Sequence, residues 1–460
     1  MSEIIDSGIM SFQQKQSYDY HMSLTHAGSY EIMLLDLDVS HLDPDFIPLS
    51  VNRLFYENDS FRTIFTRKDG ETFQQVLKMN EQNNYYFDVI DQSREHYDGS
   101  RIEALLSTIG CTMSVSAGSL LARCAIVTFK NTMVRCVFFI HHVIADLWSI
   151  LIIKKQFYAI YDSLFANQGR ADGLMKKKYN MIDYARHQKE GYDLNGARSI
   201  TYWHQKLAPV LMNPSYTPVN LNAEIKPGFD GADRSSTISK KLDHGDCGFL
   251  VSKIEGGLLT SIYQLLEKSN TGFMALFNTI FSLLPWYNGV FKRVLIASPV
   301  NNRLSSNLKS VVGLCGGAIY TYLDPDLSLT VSRLLSQAYF DILKSLKYTI
   351  TDHHIFELDG QLLRERTDLF LNITSKEFEN TIPERYYTGE AIQGKRIYYA
   401  MQCSVFEQED HIGMIIGYNK EFYTRQEAAG IMDSVFRVIE ILESAFDQPL
   451  SKPSDLIHRL

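Results

Sequence analysis

Apolar residues in this chain fall in short runs between polar breaks, and their spacing switches between the periods of strands and of helices. YEIMLLDLDV (30–39) alternates in part, the pattern of a strand with one polar face. HLDPDFIPLSVNRLFYENDSFRTIF (41–65) predicts a turn, a helix through Leu54 and Phe55, and a strand beginning near Phe61. LARCAIVTF (121–129) and MVRCVFFI (133–140) are parted only by KNT, which predicts a hairpin. The second of these runs leads straight into His141-His142, and LWSILIIKKQFYAIYDSLF (147–165) then takes helical spacing. The histidine pair therefore lies in a strand-to-helix connection, where a scaffold most often presents reactive side chains.

Further along, ANQGRADGLMKKKYN (166–180) reads as a polar linker, with Lys176, Lys177 and Lys178 as solvated surface. Residues 213–247 are rich in Pro, Gly, Asn and Asp and predict a long irregular segment. MALFNTIFSLLPWY (274–287) predicts a helix, and RVLIASPV (293–300) a strand. A strand near HIGMIIGY (411–418) and an amphipathic helix over 425–446 close the chain. Neither heptads nor short repeats occur. With 460 residues the chain exceeds one ordinary core. The expectation is an α/β (α+β) protein of two lobes, residues 1–175 and 176–460.

Composition narrows the class of partner. Hydrophobic residues make up 45% and charged ones 21%, so a sizeable core can form. Lys and Arg number 45 against 53 Asp and Glu, a net charge of −8 with no long basic block. That argues against nucleic acid or an anionic membrane as the partner. The six cysteines, at 111, 124, 136, 247, 315 and 403, form no C-x-x-C pair, which favours reduced thiols. The opening MSEIIDSGIMSF lacks a signal-peptide core, and no run reaches the length of a membrane helix. A soluble, cytoplasmic protein is expected.

Three chemistries compete for His141, His142 and Asp146. Adjacent histidines diverge on a strand and do not easily bind one ion, and no Cys or Glu completes a zinc set. Metal is therefore the weakest reading. An imidazole, with its ordinary pKa of about 6.5, can take a proton from an amine or hydroxyl attacking a thioester. A nearby aspartate can fix the loop or the ring by hydrogen bonding. A purely structural hydrogen-bonded turn stays level with acyl transfer on spacing alone.

The wider sequence supplies more. His141-His142-Val-Ile-Ala-Asp146 resembles the H-H-x-x-x-D signature of condensation domains of nonribosomal peptide synthetases. That signature is shared with acyltransferases of the chloramphenicol acetyltransferase-like fold. Trp148-Ser149, Ser11 to Gln14, Phe61 to Phe65, Tyr179 to Ala185 with Tyr202-Trp203, Ser298 to Arg303, Val312-Gly313, and Gly417-Tyr418 with Phe422 resemble further family motifs in order. The resemblance implies two acyltransferase-like lobes in a V, with a tunnel between them. Carrier proteins would deliver acyl groups there on phosphopantetheine arms, and no cofactor would be bound by the chain itself. His142 would be the main catalytic residue, His141 and Asp146 mainly architectural, with Arg303 and Arg62 the available partners of Asp146. Leu147, Trp148, Ser149, Gly313, Leu314, Cys315 and Gly316 would face substrate or tunnel.

The chain also departs from the family pattern. Leu147 stands where the family has glycine, Leu314 to Ala318 replace its usual residues after Gly313, and Thr351 stands at an expected histidine, with His353 and His354 outside the signature. The reaction implied is amide formation from a carrier-bound thioester and an amine, carrier-bound or free. Ester formation, a coenzyme A donor, and a non-catalytic carrier-docking module are the alternatives. The absence of carrier and adenylation regions leads us to expect a free-standing condensation protein or an excised domain, and the start methionine favours the first.

Overall fold

A computed structural model of the chain describes residues 3–23, 32–79, 87–110, 112–115, 118–169, 179–213, 221, 242, 245–290, 292–349, 363–376 and 397–450. Contacts divide the chain into two compact units. The first comprises Met1–Leu194, Asn301–Gly317 and Asn380–Pro383, and the second takes the remainder. Residues 301–317 thus belong to the first unit, although they lie far beyond residue 175 in sequence. Thr351, His353, His354 and Cys111 lie outside the described residues.

In the first unit the elements run β1 (Ile4–Ile9), α1 (Phe12–Ser23), β2 (Ile32–Asp38), α2 (Ile47–Glu57), β3 (Thr63–Lys68), β4 (Glu71–Leu77), β5 (Phe87–Gln92), α3 (Gly99–Gly110), β6 (Ala122–Phe129), β7 (Val134–His141) and α4 (Leu147–Ala166). A small antiparallel sheet has the order β1-β4-β3, and a larger one the order β2-β7-β6-β5. β7 is central in the larger sheet, antiparallel to both β2 and β6. Its last six residues, Cys136–His141, are all buried, which explains an unbroken apolar run in place of alternation. Phe138 reaches α4, where its ring meets Phe157 edge to face at 6.0 Å.

The β6–β7 hairpin closes through Asn131 and Thr132, both at positive φ, 62° and 58°. Such a turn matches the twist of the strands it joins. The strand expected near Phe61 begins instead at Thr63, after a 3-10 turn over Asp59–Arg62. The cause is Arg62, which folds back on the end of α2. Its Nε donates to the Phe55 carbonyl and its Nη2 to that of Tyr56, capping carbonyls the helix leaves unpaired.

α5 (Met181–Leu211) follows, 31 residues or about 46 Å at 1.5 Å per residue. The boundary between units, Leu194/Asn195, falls inside it. The second unit then contains β8 (Cys247–Ile254), α6 (Gly256–Ser269), α7 (Phe273–Tyr287), β9 (Ile296–Val300), β10 (Gly317–Thr321), α8 (Val331–Leu346), β11 (Leu369–Thr374), β12 (Met401–Glu407), β13 (Ile412–Asn419) and α9 (Arg425–Ser444). Its six strands form one sheet in the order β10-β9-β11-β12-β13-β8. β13 is buried along its whole length, and α7 and α9 share its core through Phe277, Phe281, Val435 and Ile439. The start of α9 is fixed by a reciprocal capping box between Thr424 and Glu427. Among the described residues, no helix is long and apolar enough to cross a membrane.

Candidate active site

The two histidines are unequal because the sheet ends between them. His141 is still in register with Ile32 of β2, its backbone N–H donates to Leu121, and its side chain is 1% exposed. Its Nδ1 accepts the N–H of Val143 at 3.1 Å, and the ring of His21 from α1 lies edge-on at 4.7 Å. His142 is the first residue beyond the ladder, and its side chain is only half-buried. A single 3-10 turn, His142–Ile144, brings Ala145 back beneath it. The N–H of Ala145 donates to the His142 carbonyl at 3.2 Å. The Ala145 carbonyl in turn lies 2.7 Å from His142 Nδ1. A carbonyl only accepts, so Nδ1 carries a proton, and in the neutral ring Nε2 keeps the lone pair. The three residues between His142 and Asp146 are therefore the length of the turn that fixes the tautomer.

Asp146 ends the turn and starts α4 as its N-cap, accepting the Ser149 N–H at 2.8 Å. Its carboxylate is buried and fully occupied. Oδ1 accepts from Ser149 Oγ at 2.8 Å and Arg303 Nη2 at 2.9 Å. Oδ2 accepts from Arg303 Nη1 at 2.8 Å and from the N–H groups of Cys315 and Gly316 at 3.1 and 2.9 Å. Arg303 uses its other donors on the carbonyls of Val311, Asn301 and Gly313. Both partners belong to the first unit, so residues 301–317 are tied to α4 through this knot.

Burial opposes the charge on Asp146, but the Arg303 guanidinium and the hydrogen bonds outweigh it and hold the carboxyl below its usual range. Arg303 is likewise desolvated, and Asp146 more than compensates, raising its pKa. The pair stays ionised, with each lone pair and proton matched, the condition a buried pair must meet. Cys315 and Tyr184 titrate well above their usual ranges, chiefly because both are buried.

The other expected site residues divide. Arg62 does not reach Asp146: it pairs with Asp59 at 2.5 Å and donates to Leu77 as well as capping α2. Ser149, expected to face substrate, is wholly buried, since its hydroxyl lies between Asp146, Arg303 and Gly313. Gly313, Leu314 and Cys315 are buried as well. The space beside Gly313 is occupied by Met181, whose Sδ would lie 2.2 Å from an added Cβ. Leu147, Trp148 and Gly316 remain partly exposed. Leu147 is the first helical residue of α4 and is not at positive φ, so this backbone makes no demand for glycine there. Trp148 is anchored by its indole N–H on the Lys309 carbonyl at 3.2 Å.

Sequence reasoning missed most of the backbone partners in this site, for no side-chain pattern marks a carbonyl or an N–H. A signal did exist at Ser11 to Gln14, matched only as a motif. Ser11 Oγ accepts the Gln14 N–H and Gln14 Oε1 accepts the Ser11 N–H, a capping box that opens α1. Ser11 Oγ also donates to the Leu314 carbonyl at 3.2 Å.

Comparison with known proteins gives a consistent picture. The family model described as Condensation domain matches residues 5–457. Chondramide synthase cmdD of Chondromyces crocatus is 26% identical over 45% of the chain. One of the linear gramicidin synthase proteins of Brevibacillus parabrevis is 27% identical over 71%. The matched stretches are 5% and 6% of the lengths of those two proteins. Among solved structures, the condensation domain from Monacolin K polyketide synthase MokA superposes with a TM-score of 0.75 at 11% identity. That match covers 98% of this chain and 100% of the other, and shows a shared fold.

Proposed function

This chain belongs to the condensation-domain family, and from that premise we propose that it forms an amide by moving an acyl or aminoacyl group from a carrier-protein thioester to an amine. The observation that carries the reading is the held tautomer of His142, with Nδ1 on the Ala145 carbonyl and Nε2 left as the basic nitrogen. The amine nitrogen attacks the thioester carbon, and His142 Nε2 takes the proton the nitrogen sheds. Collapse of the tetrahedral intermediate breaks the C–S bond, and the same proton passes to the departing phosphopantetheine sulfur. His141 and Asp146 hold the turn, Arg303 holds Asp146, and Leu147, Trp148 and Gly316 face the substrates.

Carrier proteins are the partners in this reading, the acceptor being a second carrier-bound group or a free amine. It also treats residues 1–175 and 176–460 as the two acyltransferase-like lobes and the cytoplasm as the compartment. The test is incubation with an acyl-loaded carrier and a panel of amines and alcohols, with products followed by mass spectrometry. Amide product is expected, and His142→Ala should lower turnover by about 10²–10⁴-fold, the usual share of general acid–base catalysis, while leaving the melting temperature nearly unchanged. Ester product alone would move the acceptor from amine to hydroxyl. Carrier binding with no product from any acceptor would leave a docking module.

A further inference from the structure

From Val312 to Cys315 the chain is neither helix nor strand, and each carbonyl of this stretch is met by a side chain. Ser60 Oγ donates to the Val312 carbonyl, and Ser149 Oγ and Arg303 Nη2 reach that of Gly313. Ser11 Oγ donates to the Leu314 carbonyl at 3.2 Å and Tyr184 Oη to the Cys315 carbonyl at 3.1 Å. Ser149 and Arg303 belong to the knot around Asp146. Ser11, ahead of α1, and Tyr184, in the first turn of α5, reach that knot only through backbone.

The two peptide groups they hold are the ones that face the aspartate. A peptide is planar and trans, so its C=O and N–H point in opposite directions along one rigid unit. The Cys315 carbonyl, which takes the Tyr184 hydroxyl, shares its peptide with the Gly316 N–H, and that N–H donates to Asp146 Oδ2 at 2.9 Å. The Leu314 carbonyl, which takes the Ser11 hydroxyl, shares its peptide with the Cys315 N–H. That group donates to the same oxygen at 3.1 Å. The Cys315 N–H is also 3.1 Å from the Gly313 carbonyl, so the Tyr184 arm is the stronger of the two. Each hydroxyl fixes the tilt of its peptide and polarises the N–H on the far side, as hydrogen bonds in series do. Tyr184 is 3% exposed, Ser11 0% and Asp146 6%, so the series runs where such bonds are stronger than in water.

The series continues to the histidine. The Ala145 carbonyl that holds His142 Nδ1 belongs to the peptide whose nitrogen is that of Asp146. Ala145 and Asp146 are both extended, so this peptide joins the 3-10 turn to α4 and is part of neither. Its tilt follows the position in which Asp146 is held. We propose that Tyr184 and Ser11 are positioning residues for His142. They aim two peptide N–H groups at Asp146, and the aspartate in turn keeps the Ala145 carbonyl on Nδ1. The effect on the ring rests on this geometry alone, and the effect on turnover rests on the reaction proposed above.

The test is NMR of the whole chain isotopically labelled on histidine nitrogen, with His142→Gln supplying the assignment. In wild type His142 should be the Nδ1–H tautomer. Tyr184→Phe keeps the ring, removes the donor and should cut the preference for that tautomer several-fold, the effect of about one net hydrogen bond. Ser11→Ala should act in the same direction but more weakly. It also opens the capping box of α1, so a control for lost stability is needed. Thr424→Ala, which removes the N-cap of α9 in the second unit, should lower the melting temperature and leave His142 unmoved. In the condensation assay Tyr184→Phe should lower kcat about tenfold with KM within about twofold, because the base is misplaced and binding is not. A His142 tautomer identical in wild type and both variants overturns the proposal. So does an equal shift in Thr424→Ala, which would make the change a general result of instability. If the tautomer shifts as expected but wild type forms no product with any acceptor, the proposed reaction falls and the positioning role stands.

Discussion

At the scale of single residues, burial decides what each member of the His-His-x-x-x-Asp group can do. His141 is enclosed in the sheet and His142 lies one residue past its end, so neighbours in sequence become one buried and one half-buried ring. Asp146 resembles His141 in being buried, but it is charged, and its ionisation is linked to folding. Its pKa is depressed in the folded state, whereas an unfolded aspartate titrates at about 3.9. Above that value both states are ionised and the full stabilisation is present. As the pH falls below it, the unfolded chain takes up a proton that the folded chain refuses, and the stabilisation drains away toward the folded pKa. Asp146→Asn leaves Arg303 buried without its counter-charge and should cost about 3–5 kcal/mol at pH 7. The gap between wild type and variant, measured by urea unfolding from pH 7 to pH 3, should narrow below about pH 4. A gap that stays constant across that range would mean that the Asp146 carboxyl is not held below its ordinary pKa.

At the scale of elements, the segments nearest the site were the most legible. The hairpin β6–β7, the connection after it and the helix α4 all follow from an apolar run, a three-residue break and a change of period. β1 escaped the sequence reading because IIDSGI lacks clean alternation and most of it is exposed. The unit boundary inside α5 was illegible for a plainer reason, since a continuous helix carries no composition break. Contacts between elements distant in sequence were also hidden, and Gly313 is the sharpest case. The sequence marks it as a motif glycine, but only the structure shows Met181 at the start of α5 in the space a side chain would need. Gly313→Ala should therefore destabilise by about 1–3 kcal/mol through overpacking. Met181→Ala should be costly alone, yet largely relieve Gly313→Ala in the double variant. Denaturant unfolding of the four proteins checks this: strictly additive losses would show that the two residues do not compete for one space.

At the scale of the whole molecule, the first unit is discontinuous, and its candidate active site depends on that. Residues 1–194 supply His142, Asp146 and Ser149, while Arg303 and the N–H groups of Cys315 and Gly316 come from residues 301–317. Without the later segment the Asp146 carboxylate would keep, among the described residues, only its bonds to Ser149. A buried charge stripped of its partner costs about 3–5 kcal/mol, a large share of the roughly 5–15 kcal/mol that stabilises an ordinary domain. The same cut would expose the apolar faces of Met181 and Tyr184, which pack on Leu308, Val311 and Cys315. A fragment of residues 1–194 should therefore lack a sharp thermal transition by circular dichroism, and a peptide of residues 301–317 added in excess should restore one. The same peptide with Arg303→Ala should restore far less, because it returns the apolar contacts without the guanidinium. A fragment that melts cooperatively at the temperature of the full chain, with no peptide present, would show that α4 and its aspartate are held by residues 1–194 alone.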